Sequence, residues 1–149
     1  AEKAENARYA DCADFLSACG VRVPAVRAHD AQAGFLLLED AGTQDLWAHR
    51  GAPWDSRRDL YLRALGQAAR IHAVNLRSAE QAGVVQPPFD EALYQWEQDY
   101  FFTNFLGVEG EDIRRDGLPL AEQARELALR PRVLGHREFQ SQNILVRAG

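Results

Sequence analysis

Tyr9, Cys12, Ala13, Leu16 and Cys19 recur at three- and four-residue spacing, which predicts a helix over residues 4–19. Gly20 follows where a C-cap glycine belongs. Val21-Arg-Val-Pro-Ala-Val26 alternates but carries Pro24, so it reads as an edge strand or extended connector. After a turn at residues 29–34, Phe35–Leu38 is a continuous apolar run, the pattern of a strand buried on both faces. Ser56 and Asp59 have capping-box spacing ahead of a stripe of Leu60, Ala64, Leu65, Ala68, Ile71 and His72, which predicts a helix from there to about Leu76. Asp90 is placed to cap a further helix reaching Leu106, with Leu93, Trp96, Tyr100 and Phe101 on one face. Pro119 opens a last helix and Pro131 ends it near Arg130. Val133-Leu134 and Ile144–Val146 read as two short strands around a polar loop. The order is a strand-poor start followed by a helical body, an α+β chain.

The 149 residues make one domain or less, 46% hydrophobic and 26% charged, as in a globular protein. A net charge of −5 gives no electrostatic reason to expect nucleic acid or an anionic membrane as partner. No apolar run approaches the roughly 20 residues of a membrane span, and the polar N-terminus is unlike a secretory signal. On the predicted helix, Cys12 and Cys19 lie about 10 Å apart at ~1.5 Å per residue. A disulfide needs Cα atoms within about 7 Å, so both thiols are expected free, which suits a cytoplasmic location. The chain has no Met and a single lysine, Lys3, and both facts point to a piece of a longer protein.

The stretch that carries chemistry is His136-Arg137-Glu138-Phe-Gln-Ser-Gln-Asn143. Its frame is that of a kinase catalytic loop, His-Arg-Asp-x-x-x-x-Asn, with Glu138 at the Asp position. Phosphoryl transfer needs a carboxylate to accept the proton of the attacking hydroxyl and a neutral oxygen to help hold Mg²⁺ near the phosphates. The four residues between Glu138 and Asn143 let one loop bring both side chains to a common point.

This loop is similar to the His-Arg-Asp-(Phe/Tyr)-(Gln/His)-Ser-(Gln/Arg)-Asn loop of aminoglycoside phosphotransferase-like proteins, which share the protein-kinase-like fold with choline kinases. The subgroup it most resembles includes bacterial kinases of cell-wall amino sugars. Phe35-Leu-Leu-Leu-Glu-Asp-Ala-Gly42 resembles that family's hinge, residues 2–24 its N-lobe helix and connector, and Leu65–His72 its first long C-lobe helix. The resemblance implies the end of an N-lobe and hinge in residues 1–40, and a C-lobe up to the catalytic loop in residues 41–149. It implies ATP and Mg²⁺, with a sugar, amino sugar or aminoglycoside-like acceptor. Glu138 falls at the catalytic base, with His136 and Arg137 as its loop partners. Asn143 falls at the metal ligand. The backbone around Leu38, Glu39 and Asp40 falls at the adenine edge, and Glu5 at the partner of a phosphate-binding lysine.

The chain departs from the family in lacking a Gly-rich loop and a separate phosphate-binding lysine, and it ends six residues after Asn143, before a second metal carboxylate. Alone it is therefore expected to be inactive, and, because the strands that should cover Phe35–Leu38 are missing, poorly stable. Two other readings stand beside the kinase: a kinase-like binding module impaired by Glu138, and an unrelated helical protein. His72 reads as a packed core histidine, and His29 and His49 as exposed. Trp96, Tyr100, Phe101, Phe102 and Phe105 read mostly as core.

Overall fold

The computed structural model describes residues 8–106, 115, 122–123 and 125–147. They form two compact units, Ala1–Val85 with Val133–Gly149, and Gln86–Arg132.

In the first unit, helix α1 spans Tyr9–Ala18 and buries Ala10 and Ala13; residues 4–7 of the expected helix lie outside the described residues. Gly20, at φ 77°, closes α1. Its N–H donates to Ser17 O at 2.9 Å and the Val21 N–H to Leu16 O at 3.0 Å, the paired bonds of a Schellman turn. The same turn ends α3 (Leu76–Gln81) at Gly83, with Val84 N–H donating to Ala79 O at 3.2 Å. The start of α1 lies against the end of α3. Arg8 donates to Gly83 O and Val85 O, and the Cys12 thiol to Val84 O at 3.7 Å.

Strands β1 (Val26–Asp30) and β2 (Phe35–Leu38) form an antiparallel hairpin paired from Val26↔Leu38 to Asp30↔Phe35, with the register shifting between Val26 and Ala28. Asp30 Oδ1 holds the turn by accepting from Gln32 N and Ala33 N, both at 2.9 Å. The strand pair expected within residues 21–39 is present, but β1 begins at Val26. Burial of β2 on both faces is not observed: Phe35 and Leu37 are 51% and 58% exposed while Leu36 and Leu38 are half-buried. A two-stranded ribbon covers one face of each strand, and alternation puts every second residue in solvent.

Helix α2 spans Trp54–His72. Pro53 precedes it and no side chain caps it, so the expected Ser56–Asp59 capping box lies inside the helix, beginning at its third residue. Its buried line is narrower than the expected stripe. Ala64 and Ile71 are buried and Leu65 is 60% exposed. His72 is exposed, not packed, because one residue past Ile71 the helix has turned about 100° away from the core. The chain breaks after His72 instead of running on to Leu76. Asn75 then caps α3, accepting from Ser78 N at 3.1 Å.

In the second unit, α4 (Glu91–Phe101) starts at Asp90, whose Oδ1 accepts from Leu93 N at 2.9 Å, as the sequence implies. It passes into a wider turn over Phe102–Leu106. The aromatic residues expected in a core are mostly exposed here. Trp96 lies tilted against Tyr100 at 5.4 Å and Phe101 stacks on Phe105 at 5.1 Å, so four-residue spacing pairs them with each other along the helix. Residues 125–128 are helical, and Arg125 pairs with Glu91 at 2.6 Å; the Pro119 end of this helix lies outside the described residues. Among the described residues, 55–130 contain helices and no strand. No helix among them is long and apolar enough to cross a membrane.

Candidate functional site

The polar loop turns at Arg137, whose φ of 69° is the left-handed value among the described non-glycine residues. Next comes a pair of interlocked turns. The Glu138 carbonyl accepts from Gln140 N at 2.9 Å, and Asn143 N–H donates to Gln140 O at 2.9 Å. A short 3-10 turn, Ser141–Asn143, follows. Asn143 Nδ2 then donates back to the Glu138 carbonyl at 3.1 Å. A carbonyl partner demands the amide nitrogen, so this bond fixes which end of the Asn143 amide is which. Oδ1 remains an acceptor with no partner among the described residues. His136 packs edge-on against Phe139 at 5.6 Å. The Glu138 side chain is exposed.

The strands expected on either side of the loop do not pair with each other. Ile144–Val146 pairs instead with Gln44–Leu46. Leu46 N–H donates to Ile144 O at 2.8 Å and Val146 N–H to Gln44 O at 2.7 Å, with Asp45 opposite Leu145. Leu46 is 2% exposed and Ile144 and Val146 are half-buried. Apolar burial therefore favours this partner over Val133, which is 55% exposed. The loop is thus anchored to the segment that follows the hinge sequence.

In the stretch expected to form the hinge, Leu38 pairs with Val26. Asp40 Oδ1 accepts from Gly42 N at 2.8 Å, and Gly42 takes φ 84°, which ends the strand. Glu39 N–H donates to Ala25 O at 2.8 Å. The Ala25 N–H does not return to the Glu39 carbonyl; it donates to the Glu39 carboxylate, Oε2, at 3.2 Å. The other carboxylate oxygen accepts from Arg147. The Arg147 guanidinium, and after it the Ala25 N–H, hold the Glu39 carboxyl below its ordinary value.

A cleft of about 570 Å³ in this unit is lined by Glu39, His136, Phe139, Asn143 and Arg147 together with the inner face of α2. Arg137, Glu138, Leu38 and Asp40 are not on its wall. Four arginines, Arg22, Arg63, Arg70 and Arg147, line it against one carboxylate, Glu39. Sequence reading missed this local positive charge because the whole chain is acidic. The signal present was Arg63, Gln67 and Arg70 at helical spacing beside Ala64 and Ile71. Arg147 was missed because no motif contains it. Glu5 lies outside the described residues. Among the described residues no three His, Cys, Asp or Glu side chains gather to hold a metal. The free Oδ1 of Asn143 suits the one-ligand role of a hard cation that keeps its waters and binds phosphate oxygens.

The sequence model of a phosphotransferase enzyme family, APH, matches residues 1–149. The N-acetylmuramate/N-acetylglucosamine kinase of Pseudomonas aeruginosa is 32% identical over 142 residues, 90% of this chain and 39% of that protein. The chain thus spans about two fifths of the length of the curated relative it matches. No solved structure matches it.

Proposed function

This chain belongs to the phosphotransferase enzyme family, and on that premise we propose that it serves ATP-dependent phosphorylation of a small hydroxylated molecule, with a sugar or amino sugar as acceptor. The observation that carries the reading is the bond from Asn143 Nδ2 to the Glu138 carbonyl. It gives the base position and the metal-ligand position one shared turn.

In this reading the Glu138 carboxylate accepts the proton of the acceptor hydroxyl as its oxygen bonds to the γ-phosphorus of ATP and the bond to the β-phosphate oxygen breaks. Asn143 offers Oδ1 to Mg²⁺, which when bound neutralises charge on the phosphates. His136 holds Phe139 and the loop in place. The hinge backbone at Leu38–Asp40 takes the nucleotide base. Residues 1–40 then correspond to the end of an N-lobe and hinge, and 41–149 to a C-lobe up to the catalytic loop. The amino-sugar acceptor is supported by the kinase relative, whose name gives N-acetylmuramate and N-acetylglucosamine as its substrates. A cytoplasmic setting, where ATP is available, accords with the free thiols of Cys12 and Cys19.

A second reading is a kinase-like module that binds nucleotide with impaired transfer. Glu138 favours it, because a glutamate reaches one methylene further than the aspartate this position normally holds.

The test is transfer of labelled γ-phosphate from ATP by the full-length protein in the presence of Mg²⁺. The acceptor panel contains N-acetylmuramate, N-acetylglucosamine, unmodified hexoses and an aminoglycoside. Phosphorylated amino sugar with matching ADP supports the kinase reading. ATP binding with no product from any acceptor supports the binding module.

A further inference from the structure

The last rung of the β1–β2 hairpin is half made. In an antiparallel pair of this kind two facing residues exchange both N–H···O bonds. Between Ala25 and Glu39 one bond is normal, from Glu39 N–H to Ala25 O at 2.8 Å. The other is diverted, because the Ala25 N–H goes to the Glu39 side chain, Oε2, at 3.2 Å. The main-chain carbonyl of Glu39 is left with no hydrogen-bond donor among the described residues. That carbonyl is therefore left with its lone pairs available to a donor on a bound molecule.

Arg147 holds the diversion in place. It is bonded to Oε1 of the same carboxylate, and it lies four residues beyond Asn143, next to the Val146 that pairs with Gln44. Glu39 and Arg147 both line the cleft that also contains His136 and Asn143. The carboxylate is thus held from one side by the hinge and from the other by the strand that leaves the catalytic loop.

We propose that Glu39 and Arg147 are a positioning pair. Arg147 pins the Glu39 carboxylate where it takes the Ala25 N–H in place of the Glu39 carbonyl, so that this carbonyl stays open to the exocyclic amino group of an adenine base. The proposal rests on the reading above that a nucleotide sits at the hinge. It adds a base preference. A carbonyl acceptor welcomes the 6-amino group of adenine and repels the 6-oxo group of guanine, so the pair favours ATP over GTP.

The experiment measures steady-state kinetics and nucleotide affinity by calorimetry for the full-length protein and three variants, Arg147→Lys, Arg147→Gln and Glu39→Ala, with ATP and with GTP. Arg147→Gln and Glu39→Ala are expected to raise KM and Kd for ATP about tenfold, equivalent to ~1.4 kcal/mol. GTP affinity, KM for the acceptor and kcat should stay within about twofold, so the ATP-to-GTP preference falls. Arg147→Lys keeps a cation at the site and should retain most of the preference. Unchanged ATP affinity in Arg147→Gln overturns the proposal. So does an equal loss for ATP and GTP with a lowered melting temperature, which marks a merely structural salt bridge. If Glu39→Ala does not fold, Arg147→Gln decides alone. If the unmutated protein binds neither nucleotide, the hinge reading itself fails and the pair with it, an outcome distinct from normal binding that ignores the variants.

Discussion

Asn143 donates from Nδ2 to the main-chain carbonyl of Glu138 at 3.1 Å, which makes the positions proposed as metal ligand and base one mechanical unit. Changing Asn143 therefore disturbs both. Asn143→Ala removes the oxygen offered to the metal and the tie to Glu138, and kcat should fall by about 10²-fold or more. Asn143→Asp keeps an oxygen but replaces the donor with an acceptor facing a carbonyl. It should bind Mg²⁺ at least as well and still transfer slowly. Mg²⁺ titration of activity in the full-length variants separates the two losses, and normal turnover in Asn143→Asp would show that the tie does not matter.

The pH dependence of stability should carry the mark of Glu39. Arg147, then the Ala25 N–H, lower its folded-state value below 4.5, and Arg27 adds to this. A depressed carboxyl contributes stability that is fully present above its unfolded value and is lost as pH falls through the folded one. The contribution should thus be intact above 4.5 and fade as pH drops from there. Thermal unfolding followed through that range should show a shallower acid-side decline in Glu39→Gln than in the unmutated chain.

The two thiols should react unequally. Burial pushes the Cys12 thiol up, only partly opposed by Arg8, and its proton is directed at Val84 O. Cys19 is exposed. The thiolate is the reacting form, so timed alkylation followed by peptide mapping should find Cys19 modified first. Faster labelling of Cys12 would mean that the contact between α1 and the end of α3 opens readily.

Gly20 and Gly83 should each resist substitution for a backbone reason alone. Their φ values are 77° and 68°, and a Cβ at either would meet nothing within 4 Å. Gly20→Ala and Gly83→Ala should each cost about 1 kcal/mol by denaturant titration, the penalty of a left-handed L-residue without a clash.

Local signals were readable wherever a short-range bond decides the outcome. Gly20 ends α1 and Asp90 starts α4 because their partners lie within a turn of them. The loop frame was readable for the same reason: its turn is closed by bonds among residues 138–143. What failed depended on distant partners. Ile144–Val146 pairs with Gln44–Leu46, about a hundred residues away, and no local pattern separates that from a hairpin with Val133-Leu134. Phe35–Leu38 looks doubly buried by composition, yet its burial is set by how many strands and layers cover it. His72 shares the apolar stripe of α2 in sequence but falls just beyond the face that α2 buries. The Glu39–Arg147 bond spans the chain, and a single arginine outside any motif announces nothing.

The central claim is that Glu138 is the base of a phosphotransferase, and turnover of the full-length protein with Glu138, Glu138→Asp and Glu138→Gln tests it most directly. Glutamate extends the carboxylate by roughly an ångström, and a misplacement of about 1 Å can cost on the order of 10²-fold. Its proton affinity is close to that of aspartate, with reference values of about 4.3 and 3.9, so any deficit is one of placement. With Mg²⁺-ATP and N-acetylmuramate or N-acetylglucosamine, Glu138→Asp should raise kcat and Glu138→Gln should nearly abolish it, with KM for ATP little changed in both. Activity of Glu138→Gln equal to that of the unmutated protein would contradict the account, remove Glu138 from the chemistry, and leave the nucleotide-binding module in its place.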